Sequence, residues 1–337
     1  MSAPVGVAIL GAGRIGQVHA RALSAVAGAR LVAVADARPE AAAALARAHG
    51  AEVPGIDEIL GAGDVEAVII CTPTDTHAPL IERAARAGKA IFCEKPIDLD
   101  PDRARAAVSV AEAAGVPLMI GFNRRFDPHF AALKAEVDSG RIGAIETVII
   151  ISRDPAPPPP AYVAASGGIF RDMTIHDFDM ARFLLGEEIA SVTARASVLV
   201  DPAIGAQGDY DTASVILTTA GGRQCLISNA RRATYGYDQR IEVHGSAGMV
   251  RAMNQRPVDI ETATAAGFVR PPLHDFFMTR YEAAYRAEIA EFIAALTEGR
   301  PTRPDGTDGL AALRIAEAAE RSVREGRSVR LESPADG

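Results

Sequence analysis

Val5-Gly6-Val7-Ala8-Ile9-Leu10-Gly11-Ala12-Gly13-Arg14-Ile15-Gly16 is the stretch on which the fold turns. Its first six residues are small or apolar and read as a buried strand. Residues 16–26 read as a helix. The turn between them matches G-x-G-x-x-G. Gly11 permits a tight turn, Gly13 lets backbone approach a pyrophosphate, and Gly16 lets helix pack close to strand. With Arg14 and Ile15 they make a turn whose free N–H groups face phosphates at a helix start. Alone the pattern is weak, and a flexible loop is the plain alternative. The context strengthens it. A second apolar run, residues 31–35, ends at Asp36, about 20 residues beyond Gly16, where a dinucleotide site wants a carboxylate for the ribose hydroxyls.

Outward from there the rhythm persists. Apolar runs at residues 65–71, 90–93 and 116–121 alternate with helical patterns at 39–49, 76–87 and 101–114. Short apolar strands alternating with helices imply βαβ units and a parallel sheet covered on both faces. The expected fold class is α/β: an N-terminal Rossmann dinucleotide-binding domain over residues 1–122, and a second domain over residues 123–337. In the second domain several strands follow one another without helices, at 189–200, 211–219, 223–229, 239–245, 248–253 and 258–262. Gly221-Gly222 is a hairpin signal. This implies an α+β domain with a large, mostly antiparallel open sheet. Tyr281, Tyr285, Ile289, Phe292 and Leu296 fall on one helical stripe. Residues 310–323 read as a last helix.

Composition narrows the function. The 337 residues make about two domains at ~150 residues each. Lys plus Arg number 35 and Asp plus Glu 43, a net charge of −8. That balance excludes a basic nucleic-acid footprint and offers no polybasic handle for a membrane. Three scattered cysteines suit neither a disulfide framework nor a zinc site and point to a reducing, cytoplasmic setting. No signal peptide is read at the start, and no run reaches the ~18 apolar residues of a membrane span.

The chemistry-bearing residues lie at strand ends and in one dense cluster. Thr72, Thr74 and His77 follow the third long apolar run and are candidates to border ribose and nicotinamide. Equally, they read as a loop with a helix cap at Thr74 or Thr76. Glu94-Lys95-Pro96 follows the fourth strand. Lys95 reads as a cation in the crevice, or as the salt-bridge partner of Glu94. In Gly167-Gly168-Ile169-Phe170-Arg171-Asp172-Met173-Thr174-Ile175-His176, a helix over 172–185 would place Asp172 and His176 on one face. A carboxylate beside an imidazole suits a general base taking a hydroxyl proton. A capped helix start with a half-buried histidine is the structural alternative. Asp172, His176 and Asp179 also offer metal ligands, but without further His or Cys nearby no metal is expected. The five prolines among residues 155–160 read as an extended loop, either a linker or a cover over a cleft.

Together the glycine turn, Glu94-Lys95-Pro96 and Asp172-x-x-x-His176 resemble the Gfo/Idh/MocA family of NAD(P)-dependent oxidoreductases over nearly the whole chain. Within that family Gly121-Phe122-Asn123-Arg124-Arg125-Phe126-Asp127, Arg153-Asp154-Pro155, residues 166–186, Tyr235-Gly236-Tyr237-Asp238 and Arg280-Tyr281 with Tyr285 are similar to the inositol-oxidising members. The resemblance implies oxidation of a cyclic polyol hydroxyl to a ketone, myo-inositol to 2-keto-myo-inositol, with NAD as cofactor. Lys95 would hydrogen-bond the reacting hydroxyl, His176 would accept its proton, and Asp172 would orient the site and bind an adjacent hydroxyl. Arg125, Asp154, Tyr235 and Tyr237 would contribute further substrate contacts, and Glu94 and Lys95 would border the cofactor. Asp36 favours NAD over NADP, while Arg38 weakens that preference because an arginine can accommodate a 2′-phosphate. The family also implies a homotetramer formed through the open sheet. The four prolines after Ala156 depart from the inositol-oxidising members and leave the choice among myo-, scyllo- and chiro-type cyclitols open. A pyranose dehydrogenase or reductase of the same family is the nearest alternative. A non-catalytic NAD sensor is a further one, but it has no need of Lys95, Asp172 and His176 together.

Overall fold

The computed structural model describes residues 3–331; residues 1–2 and 332–337, the outer ends of the two expected domain spans, lie outside it. In chain order the elements begin β1 (Val5–Leu10), α1 (Arg14–Ser24), β2 (Ala29–Ala35), α2 (Pro39–His49), α3 (Ile56–Gly61), β3 (Ala67–Ile70), α4 (His77–Arg86), β4 (Ala90–Glu94), α5 (Pro101–Ala114) and β5 (Leu118–Gly121). They continue with α6 (Pro128–Asp138), β6 (Ile145–Arg153), α7 (Pro160–Ser166), α8 (Ile175–Leu185), β7 (Ile189–Ser197), α9 (Pro202–Gly205), β8 (Thr212–Thr219), β9 (Gln224–Ala230), β10 (Asp238–Gly245) and β11 (Gly248–Ala252). The last are β12 (Thr262–Thr264), β13 (Gly267–Val269), α10 (Phe277–Arg280), α11 (Glu282–Glu298), α12 (Gly306–Glu325) and β14 (Val329–Arg330).

Two compact units result. One holds the residues through Asp127 together with Glu282–Ala311; the other holds Pro128–Tyr281 and the residues from Ala312 on. The sequence reading divided the chain once, at 122/123. The difference lies in α11, whose apolar stripe faces the first core. There Phe292 meets Phe92 edge-on at 5.8 Å between centroids, and Tyr285 meets His19 at 5.6 Å. Helical periodicity marks an apolar face but not the core it turns to. Tyr281 is not part of that helix; it ends α10.

In the first unit all five strands are parallel, in the order β2-β1-β3-β4-β5. Every residue of β1, β3 and β4 is buried, as expected of strands covered on both faces. The chain steps from β1 outward to β2 and then back past β1 to β3, so the topological switch point lies between β1 and β3. Ligands bind outside the carboxyl ends of the strands at such a point. Helix starts are set locally: Asp100 caps α5 by accepting the N–H groups of Asp102 at 2.8 Å and Arg103 at 3.4 Å, with Pro101 at the first helical position.

The second unit is built on a seven-stranded sheet, β11-β10-β6-β9-β8-β7-β14. Only β6 and β9 run parallel; the remaining pairs are antiparallel. Burial alternates along β6, β8 and β9, so one face is core and the other is open. The helix α8 packs on the core face, with Phe178, Ala181, Leu184 and Leu185 buried. Three details differ from the sequence reading. Residues 258–261 form no strand; the strand pair there is the short hairpin β12–β13. Pro160 is not loop but the first residue of α7, a position where a missing N–H costs nothing. Residues 172–185 are not one α-helix, because Phe170–Thr174 forms a wider π-helical turn ahead of α8.

Candidate active site

In the first unit the glycine turn shows why its residues are small. Gly11 adopts φ +103°, and a Cβ there would meet the backbone C and O of Cys71 at 2.6 Å. At Gly16 a Cβ would lie 2.0 Å from the Gly11 carbonyl oxygen. Both glycines are therefore required by close approach of backbone to backbone. A Cβ on Gly13 would meet nothing within 4 Å, and no side chain caps the helix at that position. The α1 start thus opens onto space with its N–H groups undemanded by any capping side chain. Ile15 is half-buried and Arg14 is exposed on the first turn.

Asp36 ties this turn to β2. Its Oδ2 accepts the Ala12 N–H at 2.6 Å and its Oδ1 accepts the Arg38 N–H at 2.8 Å. The Arg38 guanidinium lies 3.7 Å from Oδ1 and is largely exposed. Each carboxylate oxygen keeps a lone pair for a further donor such as a ribose hydroxyl. The N-terminus of α1, the open side of Gly13 and the pinned Asp36 carboxylate together fit a dinucleotide.

Beyond β3, the Thr76 and Thr72 hydroxyls meet at 2.6 Å, and Thr74 opens a short 3-10 turn. Although Thr76 precedes α4, its side chain makes no cap bond. His77 is buried. Its two ring nitrogens lie 2.8 Å from the carbonyl oxygens of Pro96 and Thr72; the neutral imidazole has one N–H and donates to one of them at a time, at the junction of the segment after Lys95 and the segment after β3. Burial pushes this imidazole below the ordinary histidine range, and those two carbonyls only partly offset it. Lys95 leaves the carboxyl end of β4, half-buried. The Glu94 carboxylate turns to His19, with Oε1 2.6 Å from His19 Nε2. Arg125 pairs with Asp308, Nη2 to Oδ1 at 3.1 Å, both side chains mostly buried.

In the second unit Asp172 lies in the π-helical turn and His176 one residue into α8. Asp172 Oδ1 accepts the Tyr162 hydroxyl at 2.8 Å, and Oδ2 lies 3.2 Å from Arg231 Nη1. Arg231 is fully buried and also reaches Asp209 Oδ2 at 3.5 Å, while Asp209 Oδ1 accepts the Ile169 N–H. The α8 start is held by a second buried set. Asp177 accepts Ser152 Oγ at 2.6 Å and Asn229 Nδ2 at 2.8 Å, and the Thr174 hydroxyl donates to Asn229 Oδ1. His176 sits between these two sets along the chain, with its Nδ1 buried.

The further candidates of this unit divide. Asp154 follows β6 and donates its N–H to the Ala230 carbonyl. Tyr235 is exposed; its hydroxyl donates to Asp238 at 2.6 Å and accepts from Arg153 at 3.0 Å. Burial works against the Asp238 charge, but hydrogen bonds from Arg240, Tyr235 and Asn254 hold its carboxyl below the usual range. Tyr237 is buried, edge-on to Phe276 and Tyr281. Sequence reasoning missed Arg231, Asp209 and Tyr162. Arg231 was findable: it shares the inward parity of Cys225, Ile227 and Asn229, whereas Arg232 points outward.

The profile described as an oxidoreductase family with an NAD-binding Rossmann fold matches residues 5–122, and that of the GFO/IDH/MocA C-terminal domain matches residues 130–251. The chain belongs to the GFO/IDH/MocA oxidoreductase family. It is 66% identical over 323 residues to an inositol 2-dehydrogenase of Rhizobium meliloti (strain 1021), covering 96% of this chain and 98% of that protein. The crystal structure of a myo-inositol dehydrogenase from Corynebacterium glutamicum superposes with a TM-score of 0.94 at 44% identity, over 98% of this chain and 99% of that one. A scyllo-inositol dehydrogenase from Lactobacillus casei, solved with bound NAD(H) and scyllo-inositol, superposes with a TM-score of 0.89 at 28% identity, over 97% and 99% of the two chains. The family member described here is accordingly an NAD-dependent oxidoreductase. Among the described residues no helix is long and apolar enough to cross a membrane.

Proposed function

We propose that the enzyme oxidises a ring hydroxyl of an inositol, converting myo-inositol to 2-keto-myo-inositol. The observation that carries this reading is the 66% identity, across nearly the full length of both chains, to an inositol 2-dehydrogenase. Lys95 Nζ donates to the reacting hydroxyl oxygen and favours its alkoxide character. The hydroxyl proton passes to His176 at Nε2, the ring nitrogen opposite the buried Nδ1. Asp172, its carboxylate flanked by Tyr162 and Arg231, holds an adjacent ring hydroxyl and fixes which carbon reacts. NAD, when bound, supplies the acceptor for the hydride that leaves that carbon. Arg125, Asp154, Tyr235 and Tyr237 are the further proposed substrate contacts, with Arg125 also paired to Asp308 and the Tyr235 hydroxyl also donating to Asp238. The scyllo isomer is a second reading, supported by the structural neighbour that holds scyllo-inositol.

The proposed assembly is a homotetramer formed through the open sheet. Along one row of that sheet Ile149 stands beside Leu226 and Leu226 beside Ile216, at 39%, 40% and 44% exposure. An apolar row of this kind on a monomer is a contact surface in waiting. The three cysteines are buried and unbridged, which supports a cytoplasmic setting. The test of the reaction is NADH formation across a panel of myo-, scyllo- and chiro-inositols and monosaccharides. Turnover of a pyranose but no inositol would replace the proposal with a sugar dehydrogenase, and NAD binding without any turnover would replace it with a sensor.

A further inference from the structure

Three buried polar side chains of the first unit converge one residue before Lys95. His19 on α1, Glu94 at the end of β4 and Glu288 on α11 each bring a nitrogen or oxygen atom within 4.8 Å of the other two. The pairing of His19 with Glu94 is a hydrogen bond of 2.6 Å. A carboxylate only accepts, so His19 Nε2 carries the hydrogen. The Glu94 carboxylate lies over Gly121 of β5, where an added Cβ would come within 3.1 Å of its Cδ and Oε2, so the absence of a side chain at Gly121 leaves it room.

Glu288 is the unexplained member. It is fully buried, and neither carboxyl oxygen has a hydrogen-bond partner among the described residues. His19 Nδ1 is likewise buried without a partner. An ionised Glu288 would be an unpaired charge in the core with a second carboxylate beside it, the costliest arrangement available to it. Burial, and then the neighbouring Glu94 charge, pushes its carboxyl well above the ordinary range. The other titratable groups facing this cluster are the thiols of Cys71 and Cys93, which burial also pushes up and so keeps neutral, the Tyr285 phenol of α11, edge-on to His19 at 5.6 Å, and the buried His77 imidazole of α4, which burial pushes down although it feels the Glu94 charge.

We infer that Glu288 is a proton-bearing positioning residue: its neutral carboxyl lies within 4.8 Å of the Glu94 carboxylate and can turn its O–H onto it, His19 grips the other side of that carboxylate, and the three together fix the end of β4 from which Lys95 departs. A cation in place of the proton is disfavoured by the His19–Glu94 distance, since two ligands on one tetrahedral ion stand about 3 Å or more apart. The catalytic consequence rests on the role proposed for Lys95; the protonation of Glu288 does not.

Two variants test it. In Glu288→Gln a neutral amide of the same shape can turn an N–H onto Glu94 as the protonated carboxyl does, so turnover stays at the wild-type level. The infrared spectrum near neutral pH loses one protonated-carboxyl C=O band relative to wild type. Its melting temperature exceeds that of wild type by a margin that widens as pH rises, because an unfolded glutamate ionises above about pH 4.3 while the native one is held neutral. In Glu288→Met the donor is gone, and kcat falls about tenfold or more as Lys95 loses its fixed position, with NAD affinity and circular dichroism unchanged. No band lost in Glu288→Gln, or a melting temperature that drops below wild type as pH rises, overturns the protonated state. Full kcat in Glu288→Met overturns the positioning role. Zinc- or manganese-dependent stabilisation of wild type that Glu288→Gln abolishes overturns both in favour of a cation site. Failure of every inositol as a substrate sinks the proposed reaction and leaves the infrared and melting results to decide the proton.

Discussion

Replacing Asp36 by asparagine isolates one charge in the cofactor site. Both Asp36 oxygens are pinned, by the N–H groups of Ala12 and Arg38, so the carboxylate cannot swing away from a 2′-phosphate on the ribose. Two unit charges about 4 Å apart repel by roughly 1 kcal/mol in water and roughly 4 kcal/mol at the effective dielectric of a protein surface. The Asp36 side chain is only 13% exposed, which puts it near the larger figure. Arg38, 66% exposed, returns no more than about 1 kcal/mol through a screened pairing. The remainder, about 3 kcal/mol, is on the order of 10²-fold in preference for NAD over NADP. Asparagine keeps an oxygen for the Ala12 N–H and so keeps the turn, while the repulsion disappears. The expected result is a fall of about 10²-fold in the ratio of kcat/KM for NAD to that for NADP, measured by initial rates with the same polyol. The drop should shrink at high salt. An unchanged ratio in Asp36→Asn, or a wild type that uses both cofactors equally, would refute the assignment of Asp36 to the ribose.

Other outcomes follow from the same geometry. His176→Ala should lower kcat by ~10²–10⁴ with NAD affinity nearly unchanged. A base must be neutral to take a proton, so oxidation by wild type should rise with pH to a plateau and ketone reduction should fall; both trends should vanish in the variant. Asp211 accepts the N–H groups of Leu199, Val200 and Asp201 and the Thr212 hydroxyl, and these hold its carboxyl below the usual range although burial opposes them. A depressed native value stabilises the fold above the unfolded value of about 3.9 and loses that contribution as pH falls further. Asp211→Asn should therefore cost roughly 1.5–3 kcal/mol near neutral pH in urea unfolding, and progressively less below about pH 4. Light scattering should find a tetramer for wild type and a smaller species for Leu226→Lys, whose charge would sit in the middle of the exposed apolar row; a wild-type monomer at micromolar concentration ends that proposal.

The amino-acid sequence by itself determined the first unit's alternation of strand and helix, the glycine turn and Asp36, because each depends on local rules: period, turn chemistry and the short reach from one strand end to the next. The mostly antiparallel character of the second sheet was equally legible, since strands that follow one another without helices pair with their neighbours. Tertiary structure decided what those rules leave free. It sent α11 to the first core, where Phe292 meets Phe92, although its stripe carries no address. It widened the turn around Asp172 into a π-helix and set Arg231 against Asp172 across 59 residues of chain. It turned Glu94 inward to His19, which lies 75 residues earlier, and left Glu288 buried beside them. Such pairings arise because packing brings distant residues into one low-dielectric pocket, where an unmatched charge is expensive and each polar group must find a partner or keep its proton. Spacing along the chain records nothing of that constraint.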